Sequence, residues 1–184
     1  MIEIEAKAKI ENPAHWRKKI ARIARFIKKE KKQDDYYTLE PLTSYPKKSL
    51  RIRTHAKNYE INFKERLSYK SGIHAKKEHE YAFPKRNLAA IKKQLKRKGF
   101  KHWLRKEKIS EIYEIEKNIH IELNNVKQLG WYLEIEYLGE TKEIPKAQRK
   151  ITKIIKKLGI KKSQIIQEGY TKLLWDKIIS VDKK

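Results

Sequence analysis

Three short stretches of the sequence place carboxylates two residues apart: Glu3 and Glu5, Glu78 and Glu80, Glu134 and Glu136. In an extended strand such positions share one face and lie about 7 Å apart. Like charges held that close repel unless something neutralises them. A divalent cation does so, and carboxylate oxygens suit the hard ions Mg²⁺, Mn²⁺ and Ca²⁺. Cations are segregated in the same way: Arg51 and Arg53 share a face, with Lys7 and Lys64 on other strands. Arginine binds phosphate oxygens through a bidentate fork and lysine binds them as a point charge. Carboxylates for metal and cations for phosphate make the kit for phosphoryl chemistry, where positioning and charge neutralisation dominate.

A simpler arrangement has the same alternation: an antiparallel sheet with one face packed and the other in water. A solvated face in this chain should be mostly lysine, since Lys plus Arg outnumber Asp plus Glu by 47 to 23. The acids gather instead as pairs within strands. Other chemistries are excluded by what is missing. No Walker-type glycine loop occurs, so the chain is not a P-loop enzyme. The six histidines have no paired metal-ligand spacing, and the absence of cysteine removes thiolate chemistry, disulfides and cysteine-bound zinc. The net charge of +24 suggests an anionic partner or a lysine-rich solvated surface. No apolar run is long enough to span a membrane, and a cytoplasmic protein without a membrane partner is expected.

The elements that must position these residues follow from periodicity. Residues 1–9 alternate as a strand, and Asn12-Pro13 opens a helix with Trp16, Ile20, Ile23, Ala24 and Ile27 on its apolar stripe. A short strand is expected over 33–38, then strands over 50–54, 60–65 and 76–83, the last two joined across Ser71-Gly72. A helix over 86–98 stops at Gly99. Strands follow over 103–115, 119–124 and 131–138, then a helix from Pro145 to Gly159 and a helical stretch over 170–179. With no repeat or linker, one domain over residues 1–184 is expected. The order of elements favours an antiparallel α+β sheet or barrel over parallel crossover units.

The residues Glu3-Ile4-Glu5-Ala6-Lys7 resemble the N-terminal E-x-E-x-K signature of the CYTH superfamily, the triphosphate tunnel metalloenzymes. The resemblance continues along the chain. Gln33, Asp35 and Tyr37 are similar to the Q-x-D-x-Y element of the cyclase-like branch. Leu50-Arg51-Ile52-Arg53 is similar to its L-R-I-R strand and Ile61 to Glu65 to the strand after it. Glu78 and Glu80 match its E-x-E, Gly130 to Glu136 its late G-x-(F/Y)-x-E-I-E strand, and Tyr170, Leu173 and Leu174 its C-terminal element.

The resemblance implies an eight-stranded antiparallel β-barrel, or tunnel, flanked by helices, with the charged faces inside. It implies metal binding by Glu3, Glu5, Glu134 and Glu136, with Mg²⁺ or Mn²⁺ as cofactor. Substrate binding falls to Lys7, Arg51, Arg53, Lys64 and Lys108, and catalytic roles to Lys64, Glu78 and Glu80. The implied activity is metal-dependent hydrolysis of inorganic triphosphate, ATP or thiamine triphosphate. The alternatives are a class IV adenylyl cyclase making cyclic AMP and pyrophosphate, and a non-catalytic binder of polyphosphate or nucleic acid, the nucleic-acid partner being less favoured. Two positions depart from the family pattern. Ser110 stands where a phosphate-binding Arg is usual, and Asn124 where many members carry a metal-associated Asp.

Overall fold

Alternation of apolar and charged residues builds the strands in a computed structural model that describes residues 2–70 and 72–182. The side chains of residues 64–66, 69, 181 and 182 lie outside that description. In chain order the elements are β1 (Ile2–Lys9), α1 (Pro13–Ala21), β2 (Arg25–Thr38), β3 (Leu50–Thr54), β4 (Asn58–Lys70) and β5 (Ile73–Pro84). Then come α2 (Leu88–Arg97), β6 (Lys101–Glu116), β7 (Ile119–Val126), β8 (Gly130–Gly139), α3 (Ile144–Leu158), β9 (Ile165–Ile166) and α4 (Tyr170–Asp182).

The strands pair in the order β5-β4-β3-β2-β6-β7-β8-β1-β9, and β5 also pairs with β1. Eight strands therefore close into an antiparallel β-barrel flanked by the helices, an α+β fold. One edge of β1 carries β5 along Ile2 to Ala6 and then β9 at Lys7 and Ala8. No helix of the described residues is long and apolar enough to cross a membrane.

Two compact units are assembled from alternating stretches of chain. The first comprises Met1–Lys31, Lys64–Glu78 and Lys108–Glu168; the second comprises Lys32–Phe63, His79–Glu107 and Gly169–Lys184. In the first, Ile2, Ile4, Ala6 and Ala8 of β1 join Ile121, Leu123, Leu133 and Ile135 in a buried core. α1 covers this core with Trp16 and Ile20, and α3 covers it with Ala147, Ile151 and Leu158. Burying each large aliphatic side chain there contributes about 1.5–3 kcal/mol. The second unit has its own smaller core, Tyr37, Ile52 and Leu95, lined by Leu88, Ile91 and Phe100.

Local chemistry sets the helix ends. The Asn12 side chain accepts the His15 N–H, and Pro13 occupies the first turn of α1, where no N–H is needed. α3 ends at Gly159, whose φ of 67° is left-handed and favours glycine.

Several boundaries differ from the sequence expectation. α1 stops at Ala21, so Ile23 and Ala24 pack on the core beyond the helix, while Ile27 is exposed on β2. β2 has 14 residues rather than six, because its first half is an exposed lysine-rich strand without apolar alternation. β4 and β5 are also longer, and Ser71, between them, lies outside the described residues. The two-residue β9 has no sequence signature.

Candidate functional site

β1, β7 and β8 stand side by side, and their register fixes a charged cluster in the first unit. Lys7 lies opposite Glu134, Glu5 opposite Glu136, and Glu122 opposite Glu134. The apolar face of β1 is covered by the core, and the middle of its charged face is shut off as well: Glu5 and Lys7 are each only 6% exposed. The arrangement with one face in water therefore does not hold for this strand.

Glu134 is held from three sides. Lys7 Nζ lies 3.2 Å from its Oε1, while Lys108 Nζ at 3.3 Å and the Asn124 amide at 2.6 Å both reach Oε2. Lys108 also donates to Glu122 Oε2 at 2.7 Å, and Lys76 bonds Glu5. Burial opposes both charges of these pairs, yet the lysines outweigh it and hold Glu134 below the ordinary carboxylate range. Lys7 and Lys108 are held above the ordinary ammonium value because Glu134, with Glu5 or Glu122, outweighs their burial.

Glu136 behaves differently. Burial, reinforced by Glu122 and Glu134, pushes its carboxyl up to about 8. Carboxylate oxygens of Glu3, Glu5 and Glu136 lie within 4.8 Å of one another, and so do those of Glu122, Glu134 and Glu136. Among these carboxylates, Glu134, Glu5 and Glu122 have Lys7, Lys76 and Lys108 as ion-pair partners. A donor set made only of carboxylate oxygens suits a hard ion such as Mg²⁺ or Mn²⁺.

The second unit holds a cationic cluster around Asp34, which has no exposure. Arg53 grips this carboxylate through Nε at 2.7 Å and Nη2 at 3.0 Å, and Lys106 Nζ lies 2.9 Å from Oδ2. Burial alone would raise the Asp34 carboxyl, but Lys106 and Arg53 hold it well below the usual range. Arg51 is 3.3 Å from Glu60 and 3.9 Å from Glu80, and Asn62 donates to Glu80 at 2.9 Å.

Of the residues read from the sequence, Glu3, Glu5, Lys7, Lys108, Glu134 and Glu136 belong to the first unit's cluster, and Arg51, Arg53 and Glu80 to the second unit. Glu78 is on β5 in the first unit, and the Lys64 side chain lies outside the described residues. The cyclase-branch element has a structural place. Tyr37 is in the smaller core, and Asp35 is paired with Arg105 at 2.7 and 3.1 Å and with His102 at 3.2 Å. Glu122, Asp34 and Lys76 are cluster members that the sequence reading missed. Glu122 was open to discovery, because it shares a strand face with Asn124 two residues away.

A family model of the CYTH domain matches residues 1–170. A protein of Methanocaldococcus jannaschii, provisionally named adenylate cyclase MJ0240, is 28% identical over 94% of this chain and 98% of its own. The PH1819 protein of Pyrococcus horikoshii has a similar structure, with a TM-score of 0.79 and 29% identity over 95% of this chain and 99% of its own. A Hippeastrum protein, provisionally named an adenylyl cyclase and described as having a dominant triphosphatase activity, shares the fold. Its TM-score is 0.63 at 18% identity, covering 94% of this chain and 93% of its own. With the family model spanning nearly all of its length, and a charged barrel behind the match, the chain belongs to the CYTH family.

Proposed function

We propose that the chain is a divalent-metal-dependent enzyme that hydrolyses a triphosphate. The observation that carries this reading is the first unit's cluster, in which carboxylate oxygens of Glu3, Glu5 and Glu136, and of Glu122, Glu134 and Glu136, lie close enough together to hold one ion. Glu3, Glu5, Glu134 and Glu136 would hold Mg²⁺ or Mn²⁺, with Glu122 beside them. The bound metal supplies neutralisation of phosphate charge and polarisation of a phosphoryl oxygen.

The chain's own residues do the rest. Lys7 and Lys108 stay protonated at neutral pH and present fixed positive charge beside the carboxylates. Family resemblance assigns Arg51, Arg53 and Lys64 to phosphate binding as well, and catalytic roles to Lys64, Glu78 and Glu80. Arg53 is pre-oriented by its two bonds to Asp34, so a phosphate oxygen meets a guanidinium already fixed in direction. The burial of the charged face keeps bulk water from screening these interactions.

Cyclisation of ATP to cyclic AMP is the second reading, and the name of the Methanocaldococcus jannaschii relative favours it. In that case the ribose 3′-hydroxyl replaces water as nucleophile and pyrophosphate leaves. A screen for phosphate release and cyclic AMP over inorganic triphosphate, ATP and thiamine triphosphate, with Mg²⁺ and Mn²⁺, separates the two. Phosphate without cyclic AMP supports hydrolysis. Turnover of none of the three with either metal overturns the proposal.

A further inference from the structure

One group of side chains in the second unit is outside the charged machinery. Tyr36 of β2, Tyr45 of the following loop, Trp103 of β6 and Trp175 of α4 form a chain of ring contacts. Centroids are 6.0 Å apart for Tyr36–Trp103, 5.7 Å for Tyr45–Trp103, 6.4 Å for Tyr45–Trp175 and 5.8 Å for Trp103–Trp175. Unlike Tyr37 in the neighbouring core, all four remain partly exposed. The Tyr45 hydroxyl meets Thr171 Oγ1 at 2.8 Å, which ties the loop to α4.

Two features give this cluster chemical direction. The Trp103 indole Nε1 is buried and has no hydrogen-bond partner among the described residues. An indole N–H can only donate, so leaving it shut from water without an acceptor is unfavourable, and a ligand bearing an acceptor would relieve it. Lys106 Nζ then lies 5.7 Å from the centre of the Tyr36 ring while also bonded to Asp34, the carboxylate that Arg53 grips. The rings therefore adjoin the cations Lys106 and Arg53.

We propose that this aromatic cluster is a subsite for the nucleobase of a nucleoside triphosphate, an inference that rests on the triphosphate reading above. A nucleobase offers a flat face for stacking and ring nitrogens or carbonyl oxygens that accept the Trp103 N–H. Its phosphates extend toward Lys106 and Arg53. Inorganic triphosphate has no group for the rings, so the cluster discriminates in favour of the nucleoside ester.

The test is titration of ATP and inorganic triphosphate, each with Mg²⁺, into wild type, Trp175→Leu and Trp103→Phe, with adenosine as a phosphate-free probe. Trp175→Leu should weaken ATP about tenfold, within the range measured for base–aromatic stacking, and change inorganic triphosphate less than twofold. Trp103→Phe keeps a ring but removes the donor, and should weaken ATP about threefold or more. It decides the matter alone if Trp175→Leu unfolds. Equal weakening of both ligands, or unchanged ATP affinity in Trp103→Phe, overturns the subsite. If neither triphosphate binds wild type, the triphosphate reading fails by itself. Saturable adenosine binding lost in Trp103→Phe then still supports the subsite, and no adenosine binding overturns it.

Discussion

Ser110 donates its hydroxyl hydrogen to Asn124 Oδ1 at 2.5 Å across the β6–β7 pair, where the two residues stand directly opposite. The two positions that depart from the pattern the resemblance implies are therefore in direct contact. Where that implied pattern has a cation and a carboxylate, this chain has a neutral, hydrogen-bonded pair, and Asn124 passes the contact on to Glu134. Both side chains have no exposure.

The pair should therefore change as a unit. Ser110→Arg alone puts a guanidinium into a fully buried site on the same strand face as Lys108, and should lower stability by about 3 kcal/mol or more. Ser110→Arg combined with Asn124→Asp should recover at least about 1 kcal/mol of that loss by pairing the new charges. Urea unfolding of the two singles and the double gives the coupling directly, and simple additivity would sink the argument.

Glu136 should make the metal-free protein sensitive to alkali. Its folded-state carboxyl is raised to about 8, above the ordinary glutamate value. The stability linked to this group is thus complete below about pH 4 and disappears as pH rises through about 8. With EDTA present, Tm should fall across that window, and Glu136→Gln should flatten the decline. Metal must displace the proton, so Mg²⁺ affinity should rise with pH up to about 8. Calorimetry in buffers of different ionisation enthalpy at pH 7 should show proton release, and its absence would count against the assignment.

Asp34 and Asp35 are adjacent but should differ sharply in effect. Asp34→Ala leaves Arg53 and Lys106 beside an empty buried position, at a cost of about 3–5 kcal/mol. Asp35 pairs with Arg105, whose side chain is 50% exposed, and Asp35→Ala should cost about 1 kcal/mol. Urea midpoints decide between them. In wild type the Asp34 contribution is present at neutral pH and is lost only as pH falls below the ordinary aspartate range, since its carboxyl is held well under it.

Replacing Glu3 and Glu5 together by Gln should abolish metal stimulation of turnover, because neutral amides are poorer ligands for a hard cation. The double variant should still fold, since it also removes repulsion with Glu136 while Lys76 retains an amide acceptor. Activity that remains fully metal-stimulated would remove both residues from the metal site.

Alternation makes β1, β3, β7 and β8 readable, because each has an apolar face on a core and a charged face opposite. The first half of β2 gives no such signal, since its residues from Arg25 to Lys29 and Lys31 are exposed. The Glu pairs are legible for the same reason as their strands. Glu122 is a single acid between apolar neighbours, marked only by the strand face it shares with Asn124. Asp34 is hidden by its neighbour: the family-like element points to Asp35, which is occupied by Arg105 and His102, whereas the buried partner of Arg53 is the residue before it. Which face each acid takes depends on strand register, and that is fixed only when distant strands meet.

The interleaving of the two compact units has a consequence for how the chain reaches this state. Each unit is drawn from three separate stretches, and β2, β4, β5 and β6 each begin in one unit and end in the other. No single cut in the chain releases either unit intact. Stable intermediates built from one half of the sequence are therefore not expected, and the barrel must close through contacts far apart along the chain. High contact order of this kind slows folding, so refolding from urea should be slow and cooperative, with both cores appearing in one phase.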